Sequence, residues 1–265
     1  MTLVQWADGH AFTATMLWCE EKYAYSVIIA EFWNAITDIP FVAIGIYYLV
    51  YYWKWKLKRR YLLCYLFYVI IGIGSFFFHA TLRFEAQLFD ELPMMLMAGQ
   101  SIWCMIVNSH SSRVRSIISA VAVYSWIAIG ATFYLIFRNY WVFYGIFVAM
   151  MSVLVLGAVY LSYYSNPHVS YPMVRAFWFN LFAFVLWNID FHLCLQLRFI
   201  RSHFGKSWGF ILQLHGWWHL LTAIGLAWFV MGLIIANPNG RHFCVRSFLG
   251  ILPVLTISSP ITVKK

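Results

Sequence analysis

His215 and His219, in the stretch LHGWWHL, are spaced to share one metal ion. Residues i and i+4 are neighbours on a helix face, and two imidazoles at that spacing can bind one zinc ion, with His79 available as a third ligand. Three protein ligands leave a fourth position open, which is the arrangement of catalytic zinc sites, where the metal lowers the pKa of a bound water. The competing interpretation is that each histidine is a hydrogen-bonded packing residue.

Ser75, Asp90 and Glu91 supply the other groups that hydrolysis of an amide at such a metal requires. The attacking water must lose a proton to a base, for which Asp90 or Glu91 is placed, and the developing oxyanion needs a donor such as the Ser75 hydroxyl. Ser75 precedes His79 by four residues and shares its helix face, although a helical serine also bonds the carbonyl one turn back. Asp90 could equally hold a ligand histidine in the correct tautomer.

The composition places these polar residues inside a membrane. Of 265 residues, 63% are hydrophobic and 10% are charged, whereas a soluble domain carries about 25% charged residues. The net charge of +9 comes from basic residues in short loops and not from one exposed face, which argues against nucleic-acid binding. An ionisable side chain at mid-bilayer costs about 2.5–3.5 kcal/mol, so each one in a span indicates a function.

Seven apolar runs of about 20 residues predict an all-α integral membrane protein, a bundle of seven transmembrane helices. The runs cover residues 27–52, 61–80, 88–107, 115–137, 141–164, 172–197 and 208–236. The chain then divides into a lumenal N-terminal segment, 1–26, a seven-helix domain, 27–236, and a cytosolic tail, 237–265. Within the tail, LGILPVLTISSP is apolar but too short to span, so we expect it on the membrane surface or disordered.

The orientation follows from the basic loop 53–60, WKWKLKRR. Cytoplasmic loops favour Lys and Arg, which predicts a lumenal N-terminus and a cytosolic tail. Cys19 and Cys194 then fall near the lumenal face, where a disulfide between them could persist. The polar residues that converge on this same side are His79, Asp90, Asp190, His215 and His219. The remaining ionisable residues of the spans are Glu31, Asp38, Glu91 and His192.

Six stretches in this order resemble the alkaline ceramidase family across residues 15–255. They are WCEEKYAYS (18–26), IAEFWNAITDIP (29–40), GIGSFFFHATL (72–82), QLFDELPM (87–94), LWNIDFHLC (186–194) and QLHGWWHLLT (213–222). The resemblance implies hydrolysis of the amide bond of ceramide to a sphingoid base and a fatty acid, in a pocket within the membrane. It implies zinc ligation by His79, His215 and His219, water activation by Asp90 and an oxyanion contact from Ser75.

The N-terminal segment departs from the family pattern, D-W-C-E-x-N-Y, which provides oxygens for calcium. Here the stretch reads LWCEEKY, with Leu17 at the aspartate position and Lys22 at the asparagine position. Glu20, Glu31 and a carbonyl from Trp18 remain, but calcium wants six to eight oxygens, so its binding is doubtful. Our hypothesis is that the Lys22 ammonium takes the place of the ion and pairs with Glu20 and Glu31. The alternative is that Lys22 points to solvent.

A receptor is the competing function. The histidines and aspartate also resemble, more distantly, the seven-helix progestin and adiponectin receptors, which would keep the zinc for structure and bind a lipid or protein ligand. The ceramidase resemblance further implies a membrane of the endoplasmic reticulum or Golgi. The oligomeric state and the preferred ceramide are left open.

Overall fold

The computed structural model describes residues 5–7, 9–107, 111–165, 167–237 and 242–258, and the described chain is dominated by helices. The helices are α1 Phe32–Lys54, α2 Arg59–Thr81, α3 Phe84–Ile106, α4 Arg113–Phe137, α5 Tyr140–Tyr164, α6 Pro167–His192, α7 Cys194–Gly209 and α8 Leu214–Ala236, with a single 3₁₀ turn at Phe210–Leu212. The predicted all-α membrane architecture is confirmed. Helix α8 lies at the centre of the bundle, because it packs against α6 and α1 and also touches α2 and α3.

Six of these helices, α1, α2, α4, α5, α6 and α8, are long and apolar enough to cross a membrane. Helix α3, with 23 residues, is as long as α1, α2 and α8, but it carries Glu85, Asp90 and Glu91. It packs closely against α2 and also against α4 and α5, and both Asp90 and Glu91 are buried. The seventh span therefore stays a prediction, in which the acidic groups of α3 face protein and not lipid.

The end of the bundle near the sixth span differs from the sequence prediction. The run 172–197 was expected to be one helix, but α6 ends at His192 and the backbone turns at Leu193. A separate helix, α7, follows, and α8 starts only at Leu214, six residues after the start of the predicted run 208–236. Helix α7 contains Arg198 and Arg201, which bond the N-terminal segment, so it runs along the end of the bundle.

The N-terminal segment covers the end of the bundle that carries the histidines. Its short strands β1 Gln5–Ala7 and β2 His10–Phe12 pair antiparallel. Beyond them the backbone bonds the end of α2: the Ala14 amide to Leu82, the Ala30 amide to Ala80 and the Glu31 amide to His79, at 3.0–3.1 Å. These bonds satisfy carbonyls that the end of a helix leaves without intrahelical partners.

Helices α2 and α3 approach each other most closely at Gly74. A Cβ atom at this position would lie 2.1 Å from the carbonyl oxygen of Phe89, so a residue with any side chain would push the helices apart. Ser75, the next residue on α2, and Asp90, the next residue on α3, both adjoin this contact. Glycine at this crossing therefore fixes the relative position of two candidate catalytic groups.

The tail forms a β-hairpin, so the expectation of disorder is wrong for residues 249–258, the part of LGILPVLTISSP that the structure describes, while its place on the membrane surface stays a prediction. Strand β3 His242–Phe248 pairs antiparallel with β4 Leu252–Ser258 around a turn in which Leu249 and Gly250 have positive φ. Three side chains of the bundle donate to its backbone: Tyr48 to Pro253 (2.7 Å), Trp228 to Ile251 (2.6 Å) and Arg175 to Gly250 (2.6 Å). These donors hold the hairpin against α1, α6 and α8, at the end opposite the histidines.

Candidate metal centre and its surroundings

Three buried histidines meet where α2 ends and α8 begins. His79, His215 and His219 each offer a ligand nitrogen, and these atoms lie within 4.8 Å of one another. Each residue is at most 2% exposed. The i, i+4 spacing places two of the rings on one face of α8, and the packing of α8 against α2 brings the third.

The hydrogen bonds fix which nitrogens are free to bind a metal. His79 Nδ1 lies 2.5 Å from Glu31 Oε2, and His219 Nδ1 lies 3.2 Å from the Asn34 carbonyl and 3.0 Å from the Thr37 hydroxyl. A carboxylate and a carbonyl only accept, so both Nδ1 atoms carry the proton and both Nε2 atoms keep a lone pair. Such outer contacts orient metal-binding imidazoles.

The donor set fits a zinc ion. Among the described residues, His219 Nε2 and His215 Nδ1 are buried without a hydrogen-bond partner, which is rare for polar atoms unless a ligand or water completes them. Zinc takes imidazole nitrogen and tolerates three protein ligands with an open fourth position. His215 is held from its other side by Trp18, whose ring stacks on it at 4.0 Å between centroids.

Of the two candidate bases, Glu91 accepts hydrogen bonds from neighbouring side chains, whereas the carboxylate of Asp90 has no such bond to a described residue. The Glu91 carboxylate accepts hydrogen bonds from Gln87 (2.8 Å) and from the Tyr134 hydroxyl, and so it links α3 to α4. Asp90 is 8% exposed and makes no hydrogen bond within the described part of the chain. The surroundings thus distinguish a structural carboxylate from one that is available for proton transfer.

Asp38 belongs to the same cluster, although its sequence position alone predicted no specific role for it. Its Oδ1 lies 3.4 Å from His219 Nδ1, and its carboxyl group also interacts with Ser75 and Asp90. Neither of its oxygens has a hydrogen-bond partner among the described residues. The signal was present in the sequence, because Asp38 follows Glu31 by seven residues and therefore lies on the same face of α1.

The Lys22 ammonium is buried and surrounded by oxygens of the N-terminal segment. It bonds the carbonyls of Trp18 and Glu20, both at 2.6 Å, and Glu31 Oε1 at 2.5 Å. The structure thus differs from the expected pairing in one detail, since Glu20 contributes its backbone carbonyl. Its carboxylate instead accepts from the amides of Trp33 (2.8 Å) and Asn34 (2.9 Å) and caps the start of α1.

The pKa values of the two glutamates of this segment are shifted in opposite directions. Burial raises the pKa of Glu20 to about 8, although the two α1 amides work against the rise. Burial also acts to raise the pKa of Glu31, but the Lys22 ammonium and His79 outweigh it and hold the value at about 2. Glu31 therefore remains the anion that faces Lys22 on one side and His79 on the other.

A disulfide and an arginine fasten the N-terminal segment to α7. Cys19 and Cys194 are joined, with their Cα atoms 5.3 Å apart. Arg201, which the sequence analysis did not single out, donates to the Cys19 carbonyl at 2.7 Å, and the Cys19 amide donates to Asp190 Oδ2 at 3.3 Å. The residues on either side of Trp18 and Lys22 are thereby held over the histidines.

The chain is similar to known proteins over most of its length. The sequence profile of the ceramidase family matches residues 10–242. Alkaline ceramidase 3 of Mus musculus is 33% identical over 80% of each chain. Alkaline ceramidase YPC1 of Saccharomyces cerevisiae is 28% identical over 83% of this chain and 76% of its own, and alkaline ceramidase of Arabidopsis thaliana is 25% identical over 94% and 95%. The chain belongs to the ceramidase family and is a hydrolase of the alkaline ceramidase type.

Proposed function

We propose that this protein hydrolyses the amide bond of ceramide inside the membrane, with a zinc ion held by His79, His215 and His219, and releases a sphingoid base and a fatty acid. The observation that carries the proposal is the cluster of three buried histidines at the end of an apolar helix bundle, beside Asp38, whose two carboxylate oxygens have no hydrogen-bond partner among the described residues. A lipid amide can reach such a site without leaving the bilayer. The metal, when bound, would acidify water and polarise the substrate carbonyl.

Asp90 takes the proton from the attacking water and passes it to the leaving amine. It is the buried carboxylate of α3 that has no hydrogen bond to a described residue, whereas Glu91 is held by Gln87 and Tyr134. Asp38 lies between His219 and Asp90 and orients the histidine. The low dielectric of the site strengthens each of these interactions.

Ser75 donates to the oxygen of the scissile carbonyl as negative charge develops there. It lies one helical turn before His79 on α2, on the inner side of the histidines. Within the described part of the chain, the Ser75 hydroxyl does not bond the carbonyl one turn back, although helical serines commonly do. A donor placed at a developing oxyanion contributes about 10²–10³ in kcat.

Lys22 replaces a metal ion in the N-terminal segment. Its ammonium bonds three oxygens, from Trp18, Glu20 and Glu31, that would otherwise face a cation. A chelator that removes calcium and spares zinc should therefore leave the activity of the purified enzyme unchanged. Loss of activity on that treatment, with full recovery on adding calcium, would show that Lys22 does not substitute for the ion.

We place the N-terminus in the lumen and the tail in the cytosol of the endoplasmic reticulum or Golgi. The basic loop 53–60 supports this orientation, and the Cys19–Cys194 disulfide suits an oxidising compartment. Protease protection of tags at the two ends, in sealed microsomes, would test the orientation. Protection of the C-terminal tag would contradict it.

The decisive experiment measures release of a sphingoid base from labelled ceramide. The wild-type protein in detergent with bound zinc should release it, and His215→Ala should lose both zinc and activity. The control is His203→Ala, since His203 is exposed on α7 away from the cluster. Wild-type protein that holds stoichiometric zinc yet releases nothing over a wide pH range would instead favour a receptor.

A further inference from the structure

Thr222 continues the face of α8 that carries the two histidines. It lies three residues after His219 and seven after His215, so the three side chains share one helix face. The Thr222 hydroxyl oxygen is buried and has no hydrogen-bond partner in the part of the chain that the structure describes.

The isolation of this hydroxyl contrasts with other helical hydroxyls of the molecule. Six hydroxyls on helices of the described chain donate to the carbonyl one turn back, as a helical Ser or Thr commonly does. These are Thr37 to Trp33, Thr81 to Phe77, Ser119 to Arg115, Thr132 to Ala128, Ser152 to Val148 and Ser162 to Ala158. A buried hydroxyl without a bond costs free energy, so a partner from outside the chain is expected.

Other unpartnered polar atoms of the described chain belong to the two histidines on this face of α8 and to Asp38, which contacts His219. They include His219 Nε2, His215 Nδ1 and both carboxylate oxygens of Asp38, whose Oδ1 is 3.4 Å from His219. Several unsatisfied donors and acceptors in one buried region indicate a site that is completed by a polar ligand. A group that bonds Thr222 would then belong to the molecule that meets the histidines.

The depth of Thr222 matches that of Ser75. Helix α2 runs toward the histidines and Ser75 comes four residues before His79, while α8 runs away from them and Thr222 comes three residues after His219. Both hydroxyls therefore lie on the inner side of the histidines, by about 4.5–6 Å at 1.5 Å per residue. Two hydroxyls at this depth, on different helices, can bond two different polar groups of one substrate.

We propose that the Thr222 hydroxyl binds the secondary hydroxyl of the sphingoid base in ceramide. This inference rests on the proposed function. In ceramide the secondary hydroxyl stands on the carbon where the sphingoid chain begins, next to the carbon that bears the amide nitrogen, whereas the primary hydroxyl lies on the headgroup side. In the proposed pose, the scissile carbonyl lies at the histidines and Ser75, and the two hydrocarbon chains of ceramide extend toward the membrane interior. The secondary hydroxyl then lies at the depth of Thr222. Thr222 is thus a residue that determines specificity, and it selects lipids with a hydroxyl at this position.

The test compares ceramide with its 3-deoxy analogue, which lacks that hydroxyl. The wild-type enzyme should prefer ceramide by about tenfold or more in kcat/KM, because the analogue leaves a buried hydroxyl unpaired. Thr222→Val keeps the shape of the side chain and should bring the ratio near one, whereas Thr222→Ser should retain the preference. Thr132→Val is the matched control, since Thr132 is exposed on α4 and already bonds Ala128.

A binding measurement gives the same answer without turnover. Metal-free protein should bind sphingosine more tightly than 3-deoxysphingosine in a competition assay with a fluorescent sphingoid base, and Thr222→Val should remove the difference. If Thr222→Val keeps the wild-type preference in both assays, the inference is wrong. A wild-type enzyme that hydrolyses neither ceramide would instead contradict the proposed function, so the two failures are distinguishable.

Discussion

Glu31 is the residue through which the N-terminal segment acts on the histidines. One carboxylate oxygen accepts from the Lys22 ammonium and the Trp18 amide, and the other contacts His79 and Asn34. Glu31→Gln should leave a buried ammonium without its anion and only one acceptor oxygen for Lys22 and His79, which contact different oxygens in the wild type. We expect a loss of about 3–5 kcal/mol in stability and a 10- to 100-fold weaker affinity for zinc.

Elemental analysis and zinc titration of purified Glu31→Gln measure this effect. Glu85→Gln is the matched control, because Glu85 is an exposed glutamate in the first turn of α3. Wild-type zinc affinity in Glu31→Gln would show that His79 does not depend on this carboxylate.

Because Asp90 and Glu91 have different surroundings, we expect their substitutions to affect different properties, kcat for Asp90 and stability for Glu91. Asp90→Asn should lower kcat by about 10²–10⁴, the usual contribution of a general base, with zinc content unchanged. Glu91→Gln should mainly lower stability, because the amide cannot accept from both Gln87 and Tyr134 as the carboxylate does. Rates of sphingoid-base release, measured beside the unfolding temperature, separate the two. An equal loss of kcat in both variants, with both folded, would exclude this assignment of roles.

Side-chain types and spacing predict the three histidines, Ser75, Asp90 and Glu91 as members of the candidate site, but not the part of Asp38 in it or the contacts within it. The i, i+4 pair on α8 and the shared depth of His79 and Asp90 come directly from helix periodicity and chain direction. The hydrogen bond from Tyr134 to Glu91 depends on how α3 packs against α4. The contact of Asp38 with His219 depends on how α1 packs against α8. Neither packing arrangement follows from a single sequence.

At the scale of helices, the crossing of α2 and α3 sets the geometry of the site. Gly74→Ala would place a Cβ atom 2.1 Å from the Phe89 carbonyl oxygen, and backbone atoms must move to relieve the clash. We expect a loss of about 1–3 kcal/mol in stability and a large fall in activity, since Ser75 and Asp90 adjoin the contact.

The matched substitution is Gly145→Ala on α5, where an added Cβ meets no atom within 4 Å. It should be neutral or slightly stabilising, because alanine favours a helix more than glycine does. Thermal unfolding in detergent and ceramide hydrolysis are measured for both variants. A Gly74→Ala enzyme with wild-type activity would mean that the close crossing does not position the catalytic groups.

Two elements escaped prediction for a shared physical reason. Helix α7 carries Arg198 and Arg201 among apolar residues, and the hairpin β3–β4 is apolar but short, so hydropathy alone assigns neither. Both are fixed by tertiary bonds: the arginines by the Cys19 carbonyl, and the hairpin by Tyr48, Arg175 and Trp228. The long helices needed no such information, because their length and apolar composition suffice.

For the whole molecule, the Cys19–Cys194 disulfide joins residues 175 apart and ties the segment over the histidines to the start of α7. Removing a disulfide of a folded protein typically costs about 2–4 kcal/mol. The double variant Cys19→Ser with Cys194→Ser should therefore unfold at a lower temperature and retain zinc less well, because Lys22 and Glu31 lose their fixed position. Arg201 and Asp190 still bond Cys19 backbone atoms, so the bundle should fold.

Adding a thiol reductant to both proteins isolates the effect of the disulfide. On reduction, the unfolding temperature and the zinc retention of the wild type should fall to the values of the double variant. The double variant itself should not respond, since Cys64 and Cys104 are free, buried thiols. A wild type that keeps its zinc after complete reduction would show that hydrogen bonds alone hold the N-terminal segment in place. The disulfide would then add stability to the molecule without contributing to the metal centre.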